Sequence, residues 1–310
     1  MLKFKKPAAG VAVAALVALF HPQAARACAC GCGVFDVSTP QMFPAGSGGT
    51  MSLEWDYMNQ DQNWNGTSSA PSANNNDKRI RTDFYTARLQ YMFNRAWGYN
   101  IEVPYWSRSF DTDVGGGNVA AYNHAALGDI RLSGVYTGFS PDMTTGLTFG
   151  VKLPTGSHTL SGMDRDTQIG TGSTDALLGV YHRDRFAADP HIMWSLNGKL
   201  DVPVLTQGGY RPGVEFDASA GIARDPVSFG GKFKVAPFLQ LVNSYRLHDS
   251  GSAADPANTG YERLLVSPGV EFSYGAETLD ADVGLPVYQN VRGNQLVAPV
   301  LFQVVLSHAF

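Results

Sequence analysis

The chain has 310 residues, with 23 Lys and Arg against 27 Asp and Glu and a formal charge of -4. That balance is too mild to mark a nucleic-acid partner or a supercharged tail. Thirty-four Gly, 17 Phe and 13 Tyr with only 16% charged residues fit many short strands with aromatic girdles better than a helical enzyme.

Lys3, Lys5 and Lys6 precede an apolar stretch over 8–20, and the small-residue pattern Ala25-Arg26-Ala27 follows. This is the arrangement of an export signal over 1–27, with a mature chain from Cys28. The stretch is shorter than the roughly 20 residues a spanning helix needs. A lipoprotein start at Cys28 competes with this reading, but such signals carry Leu and no charge where this chain has Ala25 and Arg26. Beyond Cys28 no apolar run reaches the roughly 18 residues of a membrane helix, so any crossing must use strands.

Residues 28–49 form a Cys-rich segment, periplasmic or lumenal. In extended backbone Cys28, Cys30 and Cys32 point to one side and can converge on a soft ion such as Cu(I) or Zn(II). Their spacing is not that of an established zinc framework, and an oxidising compartment equally suits a disulfide or an intermolecular redox partner. Both readings stay open, and the expected cofactor is none beyond such an ion. Residues 34–50, neither helical nor strand-like, either plug a lumen or lead in from the periplasm.

From residue 50 to 310 the pattern becomes strict alternation. Tyr85, Ala87, Leu89, Tyr91 and Phe93 alternate with Thr86, Arg88 and Gln90; Trp97, Tyr99, Ile101, Val103 and Tyr105 alternate with Asn100 and Glu102. Period two with charges on one side only predicts strands with one greasy face. About twelve such segments follow, near 50–58, 82–93, 97–107, 127–138, 144–154, 174–184, 190–202, 212–223, 231–245, 261–274, 276–287 and 298–310. The connections alternate between long polar ones (59–81, 108–126, 155–173, 203–211, 246–260, 288–297) and short ones. This predicts an all-β fold, a transmembrane antiparallel up-and-down β-barrel of about 12 strands, with short periplasmic turns and long extracellular loops. Aromatic residues at strand ends favour a membrane barrel over a soluble sandwich with an apolar core. Phe310 closing the last strand is the expected membrane-insertion signal for the barrel-assembly machinery.

Four short motifs carry a resemblance: Leu127-Gly128-Asp129, Gly150-Val151-Lys152-Leu153-Pro154-Thr155-Gly156, Gly170-Thr171-Gly172-Ser173-Thr174-Asp175 and Leu285-Pro286-Val287-Tyr288-Gln289. Over residues 80–310 the chain resembles a family of outer-membrane transporters assigned to the meta-pathway of phenol degradation, and more distantly the long-chain fatty-acid transporter barrels. The resemblance implies passage of small, often apolar molecules and carries no catalytic residues. Physically, Pro154 and Gly156 end a strand and Gly170 with Gly172 return the chain to the next.

Inward positions read from the alternation are Arg88, Glu102, Arg131, Lys152, Lys199, Asp201, Glu215, Asp217, Lys232, Lys234, Glu271, Asp280 and Asp282. The mixed signs suggest salt-bridged walls around a narrow path. The expected function is a passive outer-membrane channel for small, hydrophobic or aromatic molecules, with lipid, the solute and the assembly machinery as partners and no nucleic acid. The alternatives are a metal-binding or redox-docking protein using the cysteines, and a membrane-embedded hydrolase. His124, His158, His182, His191 and His248 lack a recognisable Ser partner or acidic dyad, so no enzyme is expected.

Overall fold

The computed structural model describes residues 43–44 and 46–310. The export signal over 1–27 and Cys28, Cys30 and Cys32 lie outside the described residues. Of the segment before the barrel, Phe43 is buried with its ring 4.8 Å from Tyr181, and Arg183 Nη2 donates to the Pro44 carbonyl at 2.8 Å.

Twelve wall strands follow one another around a closed barrel. They are β1 (Gly48–Gln60), β2 (Asp77–Met92), β3 (Trp97–Asp113), β4 in two pieces (Val119–Leu127 and Arg131–Tyr136), β5 (Thr145–Lys152), β6 (Ser173–Phe186), β7 (Asp189–Thr206), β8 (Glu215–Arg224), β9 (Phe233–Arg246), β10 (Tyr261–Tyr274), β11 (Glu277–Val297) and β12 (Leu301–Ala309). Each pairs antiparallel with its sequence neighbours, and β1 closes on β12 with Leu53 opposite Leu306. Among the described residues the strands pair on both sides over most of their length, while Val119–Leu127 of β4 and Val202–Thr206 of β7 are paired on one side alone; an unpaired edge in lipid would cost several kcal/mol per group.

The alternation resolves into an outside and an inside. On β1, Met51 and Leu53 are 56% and 63% exposed while Ser52, Glu54 and Asp56 are buried. Leu178, Val180, Leu196, Ile222, Leu241 and Leu306 continue this apolar exterior around the barrel. Burying each such side chain in lipid instead of water is worth about 1.5–3 kcal/mol. Aromatic rings border the band at the short-turn end, where Tyr91–Phe93, Phe93–Tyr99, Trp97–Tyr136 and Tyr136–Phe139 centroids lie 4.7 to 5.7 Å apart. At the long-loop end Tyr85 stands opposite Tyr105, and beyond it the outer face of β2 turns charged at Asp83, Arg81 and Arg79. A soluble sandwich would reverse these faces; here the interior holds Glu54, Asp56, Arg108, Asp217 and Asp280.

Several strands run past their predicted ends. The expected loop 288–297 is part of β11, and most of 108–126 is strand around a tight connection at 114–118. Beyond the lipid band both faces are wet or packed on loops, so no alternation marks those residues. Lys232 is corrected from the lumen to a turn: Gly230 and Gly231 adopt φ of +81° and +60°, and β9 starts only at Phe233. Lys234, near the same turn, is exposed.

Candidate functional site: the lumenal constriction

The connection 153–172 does not stay outside; it folds into the barrel. Its entry and exit meet at Asp129, in the interruption of β4. Asp129 Oδ1 accepts the Gly156 N–H at 2.9 Å, and Oδ2 accepts the Thr171 N–H at 2.8 Å and its hydroxyl at 2.6 Å. The Thr155 hydroxyl donates to the Gly128 carbonyl and accepts the Ile130 N–H, both at 2.9 Å. Three of the four sequence motifs, spread over the 49 residues from Leu127 to Asp175, therefore tie one knot. Gly156 and Gly170 touch so closely that a Cβ on Gly156 would stand 2.7 Å from Gly170 Cα.

Inside the barrel the loop is pinned from below. Arg108, only 3% exposed, donates from Nε to Thr82 Oγ1 at 2.9 Å and from Nη1 to the carbonyls of Thr167 and Gln168. Gln168 clamps the loop to itself through Leu160 and Met163. Met163 then packs with Ile80, Phe110 and Leu296 in a small apolar cluster. Beyond the lipid band, burial and the nearby carboxylates of Asp164 and Asp166 push the Asp77 carboxyl up to about 8.

Below the loop runs a belt of ion pairs. Glu54–Arg88 (3.1 Å), Arg88–Glu102 (4.0 Å), Glu102–Arg131 (3.9 Å), Arg131–Asp201 (3.8 Å) and Asp201–Lys152 (3.4 Å) link up, and Lys152 also pairs with Asp175. Arg88 and Glu102 line two cavities of about 100 Å³ each, one toward the loop and one toward Phe43. The belt thus stands between two small chambers of the lumen.

The wall itself is interrupted. β3 pairs with both pieces of β4, but β5 pairs only with Arg131–Tyr136 and ends at Lys152. Among the described residues, Val119–Leu127 has a strand partner on the β3 side alone. Leu127, exposed and opposite Tyr105, sets this gap at the upper aromatic border. Across it the contacts are sparse, such as His124 Nε2 to the Ser161 carbonyl at 3.0 Å.

Of the predicted inward residues, Arg88, Glu102, Arg131, Lys152 and Asp201 meet in the belt, and Lys199 lines the lower cavity. Glu215 accepts the Tyr261 hydroxyl and Asp217 the Ser244 hydroxyl, each at 2.6 Å. Glu271 faces Asp280 across β10 and β11, and Asp282 accepts the Ser267 hydroxyl. Asp129, Thr171, Arg108, Asp175 and Glu54 were not singled out. Asp129 and Thr171 sat within quoted motifs, whereas Arg108 fell in an expected loop. No three His, Asp or Glu side chains converge to hold a metal ion among the described residues. His191 bonds Asp225, His182 bonds Thr145 and His158 bonds the Gly156 carbonyl; among the described residues no histidine links a serine hydroxyl to a carboxylate.

No protein family and no curated protein matches the chain by sequence. Among solved structures, the COG4313 outer membrane channel from Pseudomonas putida F1 superposes with a TM-score of 0.62 at 12% identity, covering 88% of this chain and 100% of its own. The β domain of the Bordetella autotransporter BrkA gives 0.51 at 10% identity, covering 85% of this chain and 100% of its own. A Pseudomonas aeruginosa FadL homologue gives 0.43 at 9% identity, with 85% and 90% covered. At such identities the first two likenesses establish the fold: a closed twelve-strand barrel of the kind found in outer membranes.

Proposed function

We propose that the chain is an outer-membrane channel for passive passage of small apolar or aromatic molecules, with the long loops outside the cell and the short turns in the periplasm. The observation that carries this reading is the break in β4. A barrel that only needs to stand in lipid has no reason to fold twenty residues of loop into its own lumen and tie both ends of it at a break in the wall beside the upper aromatic border. A gap at the lipid border beside a constricted, charge-lined lumen suits a solute that partitions between bilayer and protein. The neighbouring structure described as a channel and the family resemblance point the same way, by analogy of fold.

Liposome swelling with small aromatic and sugar solutes, alongside planar-bilayer conductance, tests the reading. Uptake of the aromatic solutes above that of protein-free liposomes is expected. An inserted barrel that passes neither ions nor small hydrophobes would defeat it.

A further inference from the structure

The two lumenal chambers share Arg88 and Glu102 but divide on β7. Asp201 lines the chamber under the loop, and Lys199, two residues earlier on the same strand, lines the one toward Phe43. On this side the partition is made by one carboxylate. Asp201 Oδ2 reaches Lys152 on β5 at 3.4 Å and Arg131 on β4 at 3.8 Å, although β5 and β6 stand between β4 and β7 in the wall. These contacts therefore cut across the curve of the wall instead of following it.

Asp201 is also the loosest link of the belt. Its Oδ1, though buried, takes no hydrogen bond among the described residues, and Lys152 divides itself between Asp201 and Asp175. The backbone is released at the same place. Asp201, opposite Glu215, is the last residue of β7 paired to β8, and Val202–Thr206 hangs on β6 alone. Within that stretch Pro203 lacks an N–H, and the register shifts between Pro203 and Leu205. Few ladder bonds resist a displacement of such a segment.

We propose that Asp201 is the gate residue of the lumen: its departure from Arg131 and Lys152, carried by the singly paired end of β7, joins the two chambers and lets a single-ring solute by. A cavity of about 150 Å³ holds a benzene ring, so neither chamber of about 100 Å³ takes one as it stands. Opening strands no buried cation, because Arg131 keeps Glu102 and Lys152 keeps Asp175 when Asp201 leaves. This deepens the passage reading by naming the residue that controls it, and rests on that reading.

Hydrogen exchange on the unaltered full chain in detergent tests the movable end and needs no variant to fold. Amides in 202–206 should exchange at least about tenfold faster than those in 194–200, which pair on both sides. Equal protection overturns the proposal. The functional arm compares single-channel conductance and liposome swelling by arabinose, a single-ring sugar, in the parent, Asp201→Asn and Asp201→Glu. Asp201→Asn should raise both at least about twofold, while Asp201→Glu, whose longer carboxylate still reaches Arg131 and Lys152, should stay at the level of the parent. A conducting parent matched by an unchanged Asp201→Asn overturns the gate and leaves passage standing. A rise in Asp201→Glu equal to that in Asp201→Asn also overturns it, since the carboxylate contact would then not be what closes the lumen. If none of the three folded chains conducts or takes up sugar or aromatic solutes, the passage reading itself fails and the gate with it.

Discussion

Asp129 and Thr171 stand 42 residues apart and share two hydrogen bonds, the Thr171 N–H at 2.8 Å and its hydroxyl at 2.6 Å, both on Asp129 Oδ2. With Gly156 on Oδ1, one carboxylate holds both ends of the inward loop against the break in the wall. Hydrogen bonds to a charged acceptor contribute about 1.5–3 kcal/mol each. Asp129→Ala should therefore release the loop: trypsin should cut at Arg165 in the variant and spare it in the parent, with the barrel still heat-modifiable on gels. Thr171→Val, which keeps the backbone bond, should cost about 1 kcal/mol and loosen the loop less.

The contact between Gly156 and Gly170 leaves no room for a side chain. A Cβ on Gly170 would lie 2.3 Å from the Gly156 carbonyl carbon, backbone that cannot rotate away. Gly170→Ala should destabilise the folded barrel by about 1–3 kcal/mol, the range of overpacking, measured as a lower urea midpoint in refolding liposomes. Gly117→Ser, whose added atom meets nothing within 4 Å, tests whether size alone matters less than place, and its cost should be only that of its left-handed φ of +77°.

Lys152 anchors two carboxylates, Asp201 at 3.4 Å and Asp175, with its side chain only 8% exposed. Lys152→Met should cost about 3–5 kcal/mol, because it strands the buried Asp175 and leaves Asp201 with Arg131 alone. Adding Asp175→Asn and Asp201→Asn should recover much of that loss in the same urea titration. A triple variant no more stable than the single one would show that the belt does not act as a unit.

Asp77 gives the loop a pH dependence. Its carboxyl sits at about 8 in the folded chain against 3.8 unexposed to the fold, raised by burial and by Asp164 and Asp166. The folded state therefore holds this proton more tightly than the unfolded state, so stability falls as pH rises from about 4 to about 8. Protection of Arg165 from trypsin should weaken between pH 6.5 and pH 9, values chosen to bracket the shifted group at about 8. Asp77→Asn should flatten that dependence.

On the outer face, Leu53 is 63% exposed within the apolar band. Leu53→Arg should cost about 2–4 kcal/mol of membrane stability if placed near mid-bilayer. The neighbouring polar change Ser52→Thr, on the lumenal face, should leave the urea midpoint within about 0.5 kcal/mol.

The strands within the lipid band were legible because lipid outside and polar side chains inside write a period of two directly into the sequence. Tyr85 to Tyr91 and Met51 to Tyr57 alternate with no exception. The outer end of β11 and the first piece of β4 were read as loops because, past the lipid border, neither face must be greasy. The charged lumen was likewise readable by parity, so Arg88, Glu102, Arg131, Lys152 and Asp201 could be named. Their joining into one belt could not, since it depends on register between strands that are far apart in the chain.

The sequence by itself determined a barrel, its approximate strand number and which side chains look out at lipid, since those follow from local alternation and turn chemistry. Only the tertiary structure decided that the loop after Lys152 turns inward, that Asp129 receives it, and that β4 lacks a second partner over Val119–Leu127. These depend on contacts between residues tens of positions apart, and such contacts leave no periodic trace in the chain.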